Sequence, residues 1–312
     1  MADHASTALS ETERQRALDA LHIVGSLPEP AYDDIVKVAA AVCGTPMALV
    51  TLIDRDRQWF KARTGLDGSQ TDRDVAVCDH AIREPSQLLE VGDLSQDARF
   101  ADNPVLKEIG ARFYAGMPLV TGSGAAVGSV CVVDLSPRSL TPVQREALQA
   151  LARLTMNLME ARSREREQEV VALLEQTVAA EPIGTDTAAA GTPYTIVILE
   201  LQDLAALAEQ LGERGLDRQL QQLDAALERC LQAERGDSIN RVTGSGEFIA
   251  VLGTDQADAT LHALQGVADE AASRLGRPLL LGAATGARDE NTTAVFVRAD
   301  QALASAKDAR SG

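Results

Sequence analysis

The 312-residue chain has few aromatic side chains: one Trp, three Tyr and five Phe, 3% of the total. Its cores must therefore be built mainly from Ala, Leu and Val. Cysteine is scarce as well. Cys43, Cys78, Cys131 and Cys230 lie far apart with no Cys-x-x-Cys pair, which excludes a disulfide scaffold and a four-ligand zinc site. No apolar run reaches the roughly 20 residues that a bilayer requires, and the opening MADHASTALSETERQR is polar, unlike an export signal. The expected setting is the cytoplasm, with reduced thiols. Positive charge is also in short supply, 29 Lys+Arg against 46 Asp+Glu, for a net charge of −17. Such a surface repels phosphate backbones and anionic lipid, so neither nucleic acid nor membrane is expected as a partner.

The length exceeds that of most single domains and predicts two. Residues 1–22 carry a short helix, ETERQRALDAL, with Ser10 as its cap. Pro28 and Pro30 break the chain, and the period Ile35, Val38, Ala39, Val42 then predicts a helix ending at Gly44. The strands ALVTLID and RQWFKART flank an Asp-Arg-Asp turn; VCDHAI enters a short helix; LLEVGD, ARFYAGMPLV and AAVGSVCVVD are further strands. Residues 23–140 thus read as an α+β domain around one antiparallel sheet with flanking helices.

A long helix over 141–180 follows, with Thr141-Pro142 at its start and Leu148, Leu151, Leu154 and Leu158 along one seam. Its middle, RSREREQE, is almost wholly charged. Two readings stand: a solvated helix with local ion pairs, or a coiled coil joining two domains of a dimer. Residues 181–192, rich in Gly, Pro, Thr and Ala, are expected to be a flexible linker. From 193 to 312 the pattern β-α-α-β-β-α-β-α predicts a second α/β domain with helices on its sheet, close to the ferredoxin-like and nucleotidyl-cyclase architecture. SINRV and EFIAVL form its hairpin, with Gly244-Ser245 suited to a two-residue turn.

ALVTLIDRDRQWFKARTGLD, VCDHAI, DARFADNP, RFYAGMPLVT and GSVCVVDLSPRSLT, in that order, resemble a GAF domain over about residues 10–160. The resemblance implies a small-molecule sensor and dimerisation module whose ligand the motifs do not name. Cys78-Asp79-His80 is its most reactive triplet: a thiol two residues from an imidazole suits a redox sensor, a haem ligand or a tetrapyrrole attachment point. With no partner cysteine nearby in sequence, the simpler reading is a buried core thiol. Trp59, Phe60, Cys78, His80, Phe113 and Tyr114 are the candidate pocket residues, and the aromatics serve equally as core anchors.

RVTGSGEFIAVL and ADQALASAK resemble the GGDEF domain of diguanylate cyclases, which condense two GTP into cyclic di-GMP. The signature stands here as Gly244-Ser245-Gly246-Glu247-Phe248. The resemblance places the metal carboxylates at Glu200 and at Gly246, which has no side chain. It places a guanine amide at Ala208, a second guanine contact at Asp217 and a phosphate-binding lysine at Lys307, while the arginine four residues on is Ser311, with Arg310 displaced by one. The inhibitory Arg-x-x-Asp is out of register at Glu234-Arg235-Gly236-Asp237. Two metal ligands support phosphoryl transfer and one remains. The expectation is therefore no catalytic residue and no certain cofactor: a degenerate domain that regulates or binds another signalling protein, in a homodimer formed through the GAF domain and the connecting helix. Alternatives are an active cyclase in which Glu200 holds Mg²⁺ weakly with GTP, with Glu247 or a backbone carbonyl completing the coordination, or a GTP-binding domain without turnover.

Overall fold

The computed structural model describes residues 9–179, 193–253, 257–287 and 290–310. The expected linker at 181–192 and Ser311 lie outside the described residues. The chain divides into two compact units, Met1–Val24 with Pro28–Ser163, and Gly25–Leu27 with Arg164–Gly312.

In the first unit α1 (Glu11–Asp19) opens with a reciprocal cap: the Ser10 hydroxyl accepts from the Glu13 amide and the Glu13 carboxylate accepts from the Ser10 amide. Helix α2 (Pro30–Cys43) starts on its proline and stops at Gly44, whose φ of 63° is left-handed. Strands β1 (Met47–Ile53), β2 (Arg57–Thr64), β3 (Gln70–Asp72), β4 (Leu89–Val91), β5 (Phe113–Val120) and β6 (Ala126–Asp134) form one antiparallel sheet in the order β3-β2-β1-β6-β5-β4. The short helices α3 (Val77–Ala81) and α4 (Pro104–Glu108) cover a core of Leu49, Ile53, Phe60, Cys78, Phe100, Tyr114 and Cys131.

Helix α5 (Pro142–Ala179) supplies residues to both units. In the first, Leu148, Leu151, Ala152, Thr155 and Met159 are buried, a stripe at helical spacing. Leu154 and Leu158 are 55% and 38% exposed. The single apolar seam expected through all four leucines is thus two faces. In the second unit, Val170 and Leu174 are buried beside Ile196, Ile198, Ile249 and Leu303. The boundary between the two units falls within this helix, between Ser163 and Arg164.

The second unit comprises β7 (Tyr194–Leu201), α6 (Leu204–Leu211), α7 (Glu213–Glu228), β8 (Ser238–Arg241), β9 (Glu247–Gly253), α8 (Ala257–Leu275), β10 (Leu279–Gly286) and α9 (Thr292–Arg310). Its sheet runs β10-β7-β9-β8, antiparallel at every pairing. Clusters on both faces explain why β7 is apolar almost throughout: Val197 and Leu199 meet α7 and α8, Ile196 and Ile198 meet α5 and α9. The β8–β9 connection differs from the two-residue turn expected. Val242 still donates to the Glu247 carbonyl, leaving a four-residue loop, Thr243 to Gly246, in which Gly244 (φ 67°) has positive φ and Ser245 does not.

Candidate functional site

Glu200, near the end of β7, lies directly across the ladder from Glu247, the first residue of β9. Two carboxylates at facing positions repel, and each has a cation assigned to it. Lys307 on α9 donates to Glu200 at 2.9 Å, and the Gln202 amide donates to the same carboxylate at 2.7 Å. Arg166 on α5 forms a two-pronged bond to Glu247, its Nε 2.7 Å from Oε2. The Arg166 side chain is 10% exposed and that of Glu247 is 4% exposed, and the guanidinium also lies 5.8 Å from the Phe296 ring. Burial pushes the Glu247 carboxyl up, further than the Arg166 charge brings it down. For Glu200 burial is outweighed by the Lys307 ammonium, and its carboxyl sits below the ordinary range.

Arg166 and Glu169 belong to the charged run that suits a solvated helix. The structure gives both another use: Arg166 pairs with Glu247, and Glu169 accepts from the Thr243 amide and hydroxyl at 2.9 and 2.6 Å, on the β8–β9 loop. Arg164, Glu165, Glu167 and Gln168 are exposed as expected. Ser245 caps the loop, its hydroxyl donating to the Val242 carbonyl and accepting from the Glu247 amide. Gly246 is buried where a Cβ would stand 3.1 Å from the Leu201 Cβ, and Phe248 is a core residue. Asp217 is exposed on α7, Ala208 packs against the core, and Lys307 faces Glu200. A cleft of about 400 Å³ beside the loop is lined by Asp224, Arg241, Thr243, Gly244 and Phe248.

These residues do not fit a divalent ion. The two facing carboxylates are each taken by a fixed cation, and the second ligand position that the resemblance implies is a glycine, Gly246. Among the described residues no group of three or more His, Cys, Asp or Glu could hold a metal.

In the first unit the six candidate pocket residues do not share one site. Phe60, Cys78 and Tyr114 join the core beneath α3. Alternation along the strands turns Trp59 and Phe113 to the other face; Arg138, which bonds the C-terminal carbonyls of α2, lies over the Phe113 ring. His80 meets Phe100 edge-on at 4.9 Å and borders a polar cleft of about 640 Å³ with Arg55, Arg73, Asp79 and Arg83. Burial, then the Arg83 charge, hold its imidazole below the usual range. Cys78, expected without a partner thiol, has one: Cys131 Sγ is 3.8 Å away.

The antiparallel sheet, the covering helices and this core make a small α+β module, and residues 28–158 match the family model for the GAF domain. That stretch of the chain is a GAF domain. A cyclic di-GMP phosphodiesterase of Pseudomonas aeruginosa is 39% identical over 148 residues, 47% of this chain and 25% of that protein. The chain thus spans about a quarter of the length of this curated relative. Similar solved structures include the GAF domain of an Acinetobacter phosphoenolpyruvate-protein phosphotransferase (15% identity, 49% of this chain and 96% of that one, TM-score 0.36). Another is a free methionine-R-sulfoxide reductase of Neisseria meningitidis (17% identity, 51% and 95% covered, TM-score 0.37). Among the described residues no helix is long and apolar enough to cross a membrane.

Proposed function

We propose that the chain is a signalling protein of cyclic di-GMP networks in which a GAF sensor acts on a GGDEF-like second unit that regulates, by contact with another signalling protein, and does not synthesise. The observation that carries this is the pairing of Glu247 with Arg166 and of Glu200 with Lys307 beside a glycine at the third signature position. The carboxylates that would hold metal are neutralised from within the chain, and the lysine that would meet phosphate is held by one of them. The GAF-region relative, a cyclic di-GMP phosphodiesterase by name, supports the network. Helix α5 is the proposed route for the signal, since Arg166 and Glu169 grip the signature loop.

Incubation with GTP and Mg²⁺ or Mn²⁺, followed by mass spectrometry, is expected to yield no cyclic di-GMP. Gly246→Asp alone is expected to yield none, because Glu200 and Glu247 stay paired. Product proportional to protein and abolished by Glu200→Ala would overturn this reading.

The same proposal includes a homodimer through α2 and α5. Val38 and Val42 on α2, and Val143, Leu154 and Leu158 on α5, are exposed apolar side chains. The Gln144 amide bonds the Val42 and Cys43 carbonyls, which sets the end of α2 beside the start of α5. Burying such a surface against a second copy removes it from water. Light scattering should give twice the chain mass for the wild type and the single mass for Leu154→Asp/Leu158→Asp. A variant that stays dimeric would remove this face from the interface, and a monomeric wild type would remove the dimer.

A further inference from the structure

Beneath α3, an otherwise apolar core contains a small group of hydroxyls and thiols. Cys78 on α3 and Cys131 on β6 are each 1% exposed, with sulfurs 3.8 Å apart. The Tyr114 hydroxyl donates to Cys78 Sγ at 3.2 Å. Thr51 and Ser129, paired on β1 and β6, add two hydroxyls 3.3 Å apart to the same pocket, the Thr51 hydroxyl also reaching the Ser129 carbonyl at 3.4 Å. Gly116 makes room for this arrangement: a Cβ there would stand 2.2 Å from the Tyr114 hydroxyl oxygen. A thiol that served only to fill space would need apolar neighbours; a tyrosine hydroxyl and a second thiol bonded to one sulfur, with two more hydroxyls beside them, suit an anion.

We infer that Cys78 and Cys131 form a peroxide-reactive dithiol site that closes to a disulfide between α3 and β6. The Cys78 thiolate attacks hydrogen peroxide: an S–O bond forms, the O–O bond breaks, and the leaving hydroxide departs as water with the proton that the thiol released. The Cys131 sulfur then attacks the sulfenic sulfur, forming S–S and breaking S–O, and its proton leaves with the second water. Two thiols lose two electrons and one hydrogen peroxide becomes two waters. The sulfurs must close from 3.8 Å to about 2.05 Å, a change within reach of side-chain rotation and a small shift of the five-residue α3. Burial opposes the Cys78 thiolate, but the donors around it outweigh that effect and take its pKa down to about 6. The Cys131 thiol, bonded to the Cys78 sulfur and buried, is held above its ordinary range. Burial raises Cys43 and Cys230, neither of which has such a setting. Exclusion from bulk solvent selects a water-sized oxidant over larger electrophiles.

The test uses the full chain, reduced and desalted, then treated with hydrogen peroxide, unfolded, alkylated and digested without reductant. The expected product is a Cys78–Cys131 cross-linked peptide about 2 Da below the sum of the reduced pair, reversed by dithiothreitol, with Cys43 and Cys230 alkylated. Cys131→Ser should stop at a Cys78 adduct heavier by about 16 Da, and Tyr114→Phe should slow the reaction several-fold. Trp59 emission checks that each variant is folded, and Cys→Ala replaces Cys→Ser where it is not. Recovery of both thiols as alkylated peptides, or oxidation of Cys131 at an unchanged rate in the Cys78 variant, would overturn the site.

Discussion

Arg166→Met is expected to lower the stability of the second unit by about 3–5 kcal/mol, because it leaves the Glu247 carboxylate buried without its cation. Few single substitutions in this chain should cost as much: the two side chains are among the most enclosed ion-paired groups, and Glu200 faces Glu247 across the ladder. The double variant Arg166→Met/Glu247→Met should recover most of the loss, since two apolar side chains in that space need no counter-charge. Urea unfolding followed by far-ultraviolet circular dichroism reads the effect. Trp59, the chain's single tryptophan, lies in the first unit and serves as an internal control.

The effect has a pH signature. Glu247 binds its proton more tightly folded than unfolded, so its contribution to stability falls as pH rises from the unfolded carboxyl value, about 4.5, through its raised folded value. Removing Arg166 raises that folded value further, so the deficit of Arg166→Met should shrink on acidification. Glu200 runs the other way. Its folded carboxyl is lowered, so its contribution is present above the unfolded value and lost as pH falls through the folded one. A deficit that stays constant between pH 4 and pH 7 would show that Glu247 is not the group left unpaired.

Much of this architecture is legible in the sequence because it is local. Ser10 with Glu13, Pro30 with Gly44, and the alternation of β5 and β6 each carry a signal within a few residues. What escaped was set by contacts between distant segments. Cys78 and Cys131 are 53 positions apart and meet only because α3 lies on β6. Arg166 sits in a run whose composition suits solvent, and only the position of β9 shows that one of those charges is buried. The seam of α5 was misread for the same reason: its leucines fall at helical spacing, but the spacing does not tell which of two faces meets the sheet, and Leu154 and Leu158 take the exposed one. At the signature the identity of the residues was readable, including the glycine where a carboxylate was expected. That the remaining acids would be paired with Arg166 and Lys307 was not, since the resemblance assigns Lys307 to phosphate.

Gly282→Ala is the second large effect, and it tests how firmly α9 holds the site. Gly282 lies on β10 where a Cβ would stand 2.4 Å from the Ala299 carbonyl oxygen and 2.4 Å from the Leu303 amide nitrogen. Those atoms are helix backbone, so no side-chain rotation relieves the overlap, and α9 would have to withdraw by about 1 Å to restore ordinary contact. Ala299 and Leu303 are fully buried in the cluster shared with Ile196 and Ile198, and the withdrawal would open it. The expected loss is about 3 kcal/mol, at the upper end for overpacking. Lys307 lies four residues beyond Leu303 on the same helix, so the displacement also loosens its bond to Glu200. Gly266→Ala on α8 provides the contrast: a Cβ there meets nothing within 4 Å, and removing glycine from a helix interior should stabilise by about 0.5–1 kcal/mol. Urea midpoints shifted in opposite directions would establish that β10 and α9 touch through backbone. Equal shifts would mean that α9 is free to move, and with it the cation that neutralises Glu200.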